Sequence, residues 1–315
     1  MTAQRPQRAS GGFASRAVHA GERAPRPDFI PTTTPIYATS SFSYDDTDAL
    51  DAVFANEREG YVYSRYGNPT TRALEVALAE LEGTEDALAF GSGMAAIHAA
   101  ILSQVQTGSR VVAARDVYGA TYAVLTNIFA NLGVKPVFVD ILDFEAVEAA
   151  LVTHKPKLLT FETISNPLLR VANIAALSQL AHAHGARVMV DNSFASPYLV
   201  NPARYGADLV VHSTTKYLGG HGDTTGGIIA ASGELIHVLR EQKKLVGSLL
   251  SPFEAWLTLR GIKTLPLRLR QQSENAAVIA TWLFDRSDIE QVYYPGNGDL
   301  GDTAAQFNNA HRGGM

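Results

Sequence analysis

Ala207-Asp208-Leu209-Val210-Val211-His212-Ser213-Thr214-Thr215-Lys216-Tyr217-Leu218-Gly219-Gly220 is the stretch around which the rest of the chain is read. The run from Ala207 to Val211 has the length and branched apolar content of a buried strand. It gives way at once to hydroxyl side chains, one lysine and a glycine pair. In an open α/β sheet, ligands gather in the crevice outside the carboxyl ends of the strands. A lysine there, beside Ser213, Thr214 and Thr215, is placed to react with an aldehyde while the hydroxyls hold a phosphate. Taken alone, a lysine in such a loop is an ordinary solvated residue, so a second group has to be found.

Asp191 is that group. It closes the preceding apolar strand, Ala186 to Asn192, one connection before Lys216. Alone it would serve equally well as a helix or turn cap. Together, an amine at one strand end and a carboxylate at the next meet the needs of pyridoxal phosphate, which requires a Schiff-base amine, phosphate donors and an anion against its pyridine nitrogen.

Composition narrows the setting. With 315 residues, 46% hydrophobic and 18% charged, the chain can bury a large core in one large or two unequal domains. A formal net charge of −5 gives no reason to expect nucleic acid or an anionic membrane as partner. No apolar run approaches the roughly 20 residues of a membrane span, and Met1 to Gly12 lacks a secretory core, so a cytoplasmic protein is expected. The absence of cysteine excludes disulfides, thiolate metal sites and a cysteine nucleophile. Neither His212 with His221 nor His182 with His184 has a carboxylate at ligand spacing, so no metal is expected.

Along the chain, residues 1–12 read as a disordered tail and residues 13–59 as an arm with short helices, in which Pro25, Pro27, Pro31 and Pro35 keep the backbone extended. The loop Tyr61 to Thr70 crowds three tyrosines and Arg65 before a Gly-Asn-Pro turn, with Asn68 and Pro69 suited to start the next helix. Arg65 fits either a phosphate or a surface ion pair. The strand Ala87 to Phe90 then leads through Gly91-Ser92-Gly93-Met94 into a small-residue helix, whose unpaired N–H groups at Gly93 and Met94 suit an anion. His98, inside that helix, reads as a packed histidine.

Strands at 110–114, 134–140, 157–163, 186–192 and 207–211 alternate with helices at 121–132, 144–154 and 174–184. This predicts a mostly parallel sheet covered on both faces over about residues 60–255. The glycine-rich loop from Gly219 to Gly227 follows its lysine rather than preceding it, which disfavours a nucleotide loop. A strand at 228–231 and a charged helix at 234–246 come next. A long helical region from Pro252 to Phe284 should break near Gly261 and Pro266, and 289–294 reads as a strand ahead of a Pro295 to Gly298 turn.

Assembled in order, Tyr63 to Thr70, Ser92-Gly93-Met94, Asp116-Val117-Tyr118-Gly119, Glu162 with Ser165-Asn166-Pro167, Val190-Asp191-Asn192, Ser213 to Tyr217 and Arg260 to Thr264 closely resemble the pyridoxal-phosphate enzymes of Cys/Met metabolism. This is the trans-sulfuration group of cystathionine γ-synthase, cystathionine γ-lyase, O-acetylhomoserine sulfhydrylase and methionine γ-lyase. The resemblance runs from about Ser15 to the last residue. It implies an α/β three-layer fold of the aspartate aminotransferase-like type, with residues 60–255 binding the cofactor and 256–315 starting a smaller C-terminal α+β domain.

By that resemblance Lys216 binds pyridoxal 5'-phosphate and shuttles protons, Asp191 holds the pyridinium, and Tyr118 stacks on the ring. Gly93, Met94, Ser213 and Thr215 hold the phosphate. Asn166 approaches the ring hydroxyl, and Glu162 belongs to the loop supporting it. Tyr63 and Arg65 reach the phosphate of a neighbouring subunit, implying a homotetramer built as a dimer of dimers. The partners implied are an amino-acid substrate, a thiol and further copies of the chain.

The reaction implied is γ-replacement on an activated homoserine ester, with γ-elimination from cystathionine as the alternative. Family members continue past residue 315, and the resemblance places the arginine that grips the substrate carboxylate in that part. A cofactor-binding chain without turnover is therefore a reading of another class. Ala120, two residues after Tyr118, stands where methionine γ-lyases place cysteine, which disfavours that member.

Overall fold

Alternating apolar runs and short polar connections produce a sheet with helices on both faces in the computed structural model, which describes residues 12–19, 31–55, 57–295 and 306–307. The strands are β1 Asp86–Phe90, β2 Arg110–Ala114, β3 Lys135–Val139, β4 Leu158–Glu162, β5 Arg187–Asp191, β6 Leu209–Ser213 and β7 Gly227–Ala231, in spatial order β1-β7-β6-β5-β4-β2-β3. Parallel pairing links β2 to β3 and β4, β4 to β5, and β5 to β6. Only β7 is reversed, antiparallel to both neighbours. The glycine-rich loop returns the chain beside β6 with no crossover helix, which is the connection an antiparallel pair permits.

Several helices begin where the sequence provides a side-chain cap. In α3, Pro69–Glu82, the Asn68 side chain accepts from the Thr70 N–H at 2.9 Å, and Gly83 ends the helix at φ 76°. In α4, Gly93–Leu102, Ser92 Oγ accepts from the Ala95 N–H at 3.0 Å. Asp143, Asn173, Ser232 and Ser251 cap α6 (Phe144–His154), α7 (Ile174–Ala183), α9 (Gly233–Val246) and α10 (Pro252–Ile262) in the same way. Two short helices, α1 Phe13–His19 and α2 Thr47–Phe54, precede these, α5 is Gly119–Ala123 and α8 is Ser196–Leu199.

Because successive side chains alternate across a strand, each sheet face carries its own core. On one face Val112, Leu159, Phe161, Val188, Val190 and Val210 pack with α3, α6, α7 and α10. On the other, Leu88, Phe90, Val111, Leu158, Met189 and Val211 pack with α4 and α9. These side chains are all buried.

Both sheet edges are protected. At β1, Glu75 Oε1 accepts the Ala89 N–H at 3.1 Å, Lys243 Nζ donates to the Ala89 carbonyl at 3.1 Å, and Asp86 Oδ1 accepts the Ala87 N–H at 2.7 Å. Burial alone would raise the Glu75 pKa, but Lys243, Arg240 and Arg72 hold it below its ordinary value. At β3, exposed Lys135 precedes Pro136, which has no N–H to offer an incoming strand.

The helix near 121–132 is more irregular than its pattern suggests: α5 passes into a π-helical turn over Val124–Phe129. The break near Gly261 is present, α10 ending at Ile262 and α11 running from Leu265 to Phe284. Residues 289–294 form no strand, because among the described residues no neighbouring strand offers them a ladder. The expected tail to residue 11, the arm prolines Pro25 and Pro27, and the turn residues 296–298 lie outside the described residues. No described helix is long and apolar enough to cross a membrane.

Removing Lys243 should leave Glu75 buried and underpaired at the β1 edge. Lys243→Met is expected to cost about 3–5 kcal/mol in urea unfolding, whereas Arg286→Ala, at an exposed pair, should change stability by no more than about 1 kcal/mol.

Candidate active site

Glu162, Asp191 and Ser213 end β4, β5 and β6, and the strand period puts all three on the face that also carries Leu158, Met189 and Leu209. Glu162 and Asp191 are register partners. Helix α4 packs on this same face and points its amino end toward the strand ends. The carboxyl-end crevice therefore holds a carboxylate pair, a hydroxyl and a helix start.

The helix start comes unusually close to Ser213. A Cβ on Gly93 would lie 2.9 Å from Ser213 Cβ and 3.0 Å from its Oγ, so only glycine fits without displacing the serine. A Cβ on Gly227, next in the sheet, would collide with the Ser92 carbonyl. The N–H groups of Gly93 and Met94 lie in the first turn, where a helix offers no partner, and the dipole there favours negative charge. This is a cradle for an anion. Thr215 is less available, since its Oγ1 accepts the Gly226 N–H at 3.1 Å.

Lys216 follows in the turn after β6 and is exposed, and its ammonium group has no hydrogen bond or ion pair among the described residues. Asp191 Oδ1 accepts the Ser193 N–H at 2.9 Å, and Ser193 Oγ accepts the Ser213 N–H at 2.6 Å. Burial raises the Asp191 pKa, opposed by its hydrogen bonds from Ser193 and by the nearby His212.

Glu162 has the larger part that sequence reasoning missed. Its Oε1 accepts the Tyr118 N–H at 2.6 Å and its Oε2 accepts the Asn166 N–H at 3.1 Å. One side chain thus joins two loops expected to contact a ring, and the 48% exposed Tyr118 ring stands at the crevice mouth. Burial, then repulsion from Asp191, pushes the Glu162 pKa up to about 8, against the pull of the two backbone N–H groups. A glutamate at a strand end beside a strand-end aspartate is the signal that could have found it.

Tyr63 and Arg65 lie in a different setting. The Arg65 guanidinium stands 5.3 Å from the Tyr63 ring centroid and 4.9 Å from that of Tyr66, and it donates to the Lys244 carbonyl at the end of α9. His98 is half-buried and stacks on Phe129 at 5.1 Å, with its pKa lowered by burial. His212 is buried against Glu82, and His182 pairs with Asp208. Among the described residues no three His, Asp or Glu side chains converge as metal ligands.

The donor set fits pyridoxal phosphate: an unpartnered amine, an anion cradle that a Cβ would fill, and a carboxylate placed for a ring cation. Without that cation, the raised Glu162 pKa has a sign that can be checked. Its stabilising contribution is complete below about 4.5, the ordinary value, and is lost as pH rises through about 8. The melting temperature of cofactor-free protein should therefore fall between pH 5 and pH 9 more steeply than that of Glu162→Gln, and parallel curves would contradict the shift.

A sequence profile described as Cys/Met metabolism PLP-dependent enzyme matches residues 14–314. The chain is 41% identical to an L-methionine gamma-lyase of Pseudomonas putida over 307 residues, covering 96% of this chain and 77% of that protein. It is 43% identical to a cystathionine gamma-synthase of Mycobacterium tuberculosis over 286 residues, covering 90% and 71%. Among solved structures, a cystathionine gamma synthase from Xanthomonas oryzae pv. oryzae, in complex with cystathionine, superposes with TM-score 0.89 at 36% identity, covering 96% of this chain and 76% of that one. A cystathionine gamma-lyase from Lactobacillus plantarum, complexed with L-serine, gives 0.87 at 36%, covering 96% and 77%. Agreement of this extent, in sequence and in fold, makes the assignment plain: the chain belongs to the Cys/Met metabolism PLP-dependent enzymes.

Proposed function

We propose that this chain catalyses γ-replacement on an activated homoserine ester, as a cystathionine γ-synthase or a homoserine-ester sulfhydrylase does. The observation that carries the reading is the unpartnered Lys216 amine, emerging from β6 beside the crevice that holds Asp191 and the start of α4. Bound pyridoxal phosphate supplies an electron sink for carbanion chemistry.

The chain's own groups do the rest. Lys216 takes the Cα proton, hands it on and so regains a free amine, then takes a β proton. The γ substituent leaves with its bonding electrons, and a thiol adds in its place as its own proton is given up. Asp191 keeps positive charge on the ring nitrogen, and Tyr118 covers the ring face. Gly93, Met94 and Ser213 hold the phosphate, Thr215 joins them by turning its hydroxyl hydrogen toward it while accepting from Gly226, and Asn166 approaches the ring hydroxyl. Ala120, in the first turn of α5, supports replacement chemistry over methionine γ-lyase chemistry, although relatives named for both activities are similar to this chain. Likeness to a cystathionine gamma-lyase supports elimination as the second reading.

A homotetramer completes the site in this reading, with Tyr63 and Arg65 of one copy serving the phosphate of the next. Its support is the apolar surface that follows the Arg65 contact with Lys244: Leu245 is 87% exposed and Val246 62%. Such a surface marks an interface.

Pyridoxal phosphate should give a visible absorbance band that shifts on adding O-acetyl- or O-succinylhomoserine, and Lys216→Ala should abolish the band. Turnover in that variant should fall by at least about 10²-fold. A thioether formed from ester plus thiol is expected. Release of 2-oxobutyrate from cystathionine without added thiol would favour elimination, and a band indifferent to every γ-substituted amino acid would overturn turnover itself.

A further inference from the structure

Glu162 is tied to two loops and set beside a second carboxylate, an arrangement more demanding than loop anchoring requires. Its register partner is Asp191, on the same sheet face, with strand spacing of about 4.8 Å. Asp116, following β2, adds a further negative charge nearby. Arg170 does not relieve this, because its guanidinium engages Asp140 at 2.6 Å and Asp116 at 3.7 Å. His212 lies on the opposite face of β6, paired with Glu82 at 2.6 Å.

Resting on the reading of this site as one for pyridoxal phosphate, we propose that Glu162 is a charge-gated clamp. A positive charge arriving against Asp191 drives the proton from Glu162, and the carboxylate so formed tightens its hold on the N–H groups of Tyr118 and Asn166.

The chemistry follows from what a carboxyl group can accept. When protonated, it keeps one good acceptor oxygen and a weaker hydroxyl oxygen, yet two backbone N–H groups point at it. When ionised, it offers two equivalent oxygens, and hydrogen bonds to it become charge-assisted. Burial raises both carboxyls and Asp191 adds its charge against Glu162, so the pair keeps a proton through neutral pH while no counterion is present, and Glu162 is the member that its neighbour's charge pushes up. A ring cation beside Asp191 cancels the opposing field. One proton then passes from Glu162 to solvent, and the Tyr118 and Asn166 loops tighten together. Glu162 is accordingly a positioning residue: it touches the loops that touch the ring.

A purely structural tie would hold the loops equally well at any charge, so the test reads protons rather than rate. Pyridoxal phosphate is titrated into cofactor-free wild-type and Glu162→Gln protein at pH 7 by calorimetry, in two buffers of different ionisation enthalpy, while visible absorbance reports binding. Wild type should release up to about one proton per site more than the variant. A second measurement needs no variant: hydrogen exchange of the segments containing Tyr118 and Asn166 in cofactor-free wild type, corrected for intrinsic rates. Protection of these two segments should rise relative to that of the β-sheet core as pH passes through about 8.

Equal proton release from two proteins that both bind, or protection indifferent to pH, would overturn the clamp and leave the cofactor reading intact. No absorbance change in wild type would overturn the cofactor reading and remove the clamp's trigger.

Discussion

Everything at the crevice depends on the parallel register of β4, β5 and β6. Because side chains alternate with period two, Glu162, Asp191 and Ser213 share the face carrying α4 only while those strands stay in step. A slip of one residue in β5 would send Asp191 to the other face and bring Val190 to the crevice. The apolar residues upstream prevent it, since Val188 and Val190 fill one core and Met189 the other. The packing that folds the sheet is thus also what aims its polar ends.

A buried polar network at the far face reinforces that aim. Glu82 and His212 are essentially sealed from solvent, and their 2.6 Å contact joins the end of α3 to the residue just before Ser213. Asn192 and Asn201 add amide donors to Glu82 at 3.1 and 3.3 Å. A buried polar contact gains little net energy, but breaking it strands a buried group without its partner. The end of β6, from which Lys216 emerges, is consequently pinned from behind while its front face stays accessible.

Much of this was legible in the sequence. The strand at 110–114 and the helix at 144–154 have the limits their patterns predict, because a full apolar face and a terminal cap coincide there. Lys216, Asp191 and Gly93 could be picked out because strand ends and a glycine-led helix are local signals. Three features were not legible. Glu162 acts on Tyr118 across 44 residues, and no local pattern announces a side chain that accepts from a distant loop. The π-helical turn at Val124–Phe129 shifts hydrogen bonds without changing the apolar spacing enough to show. Residues 289–294 carry strand-like side chains, yet a strand exists only with a partner.

The protected edges of the sheet have a consequence for how copies of this chain can meet. An open strand edge is a template for another strand, and it invites growth without limit. Here Glu75, Lys243 and Asp86 occupy the backbone groups of one edge, and Pro136 denies a donor at the other. Growth by strand addition is thereby disfavoured at both ends of the sheet, so a crowded solution of this protein is steered away from fibres built on these edges.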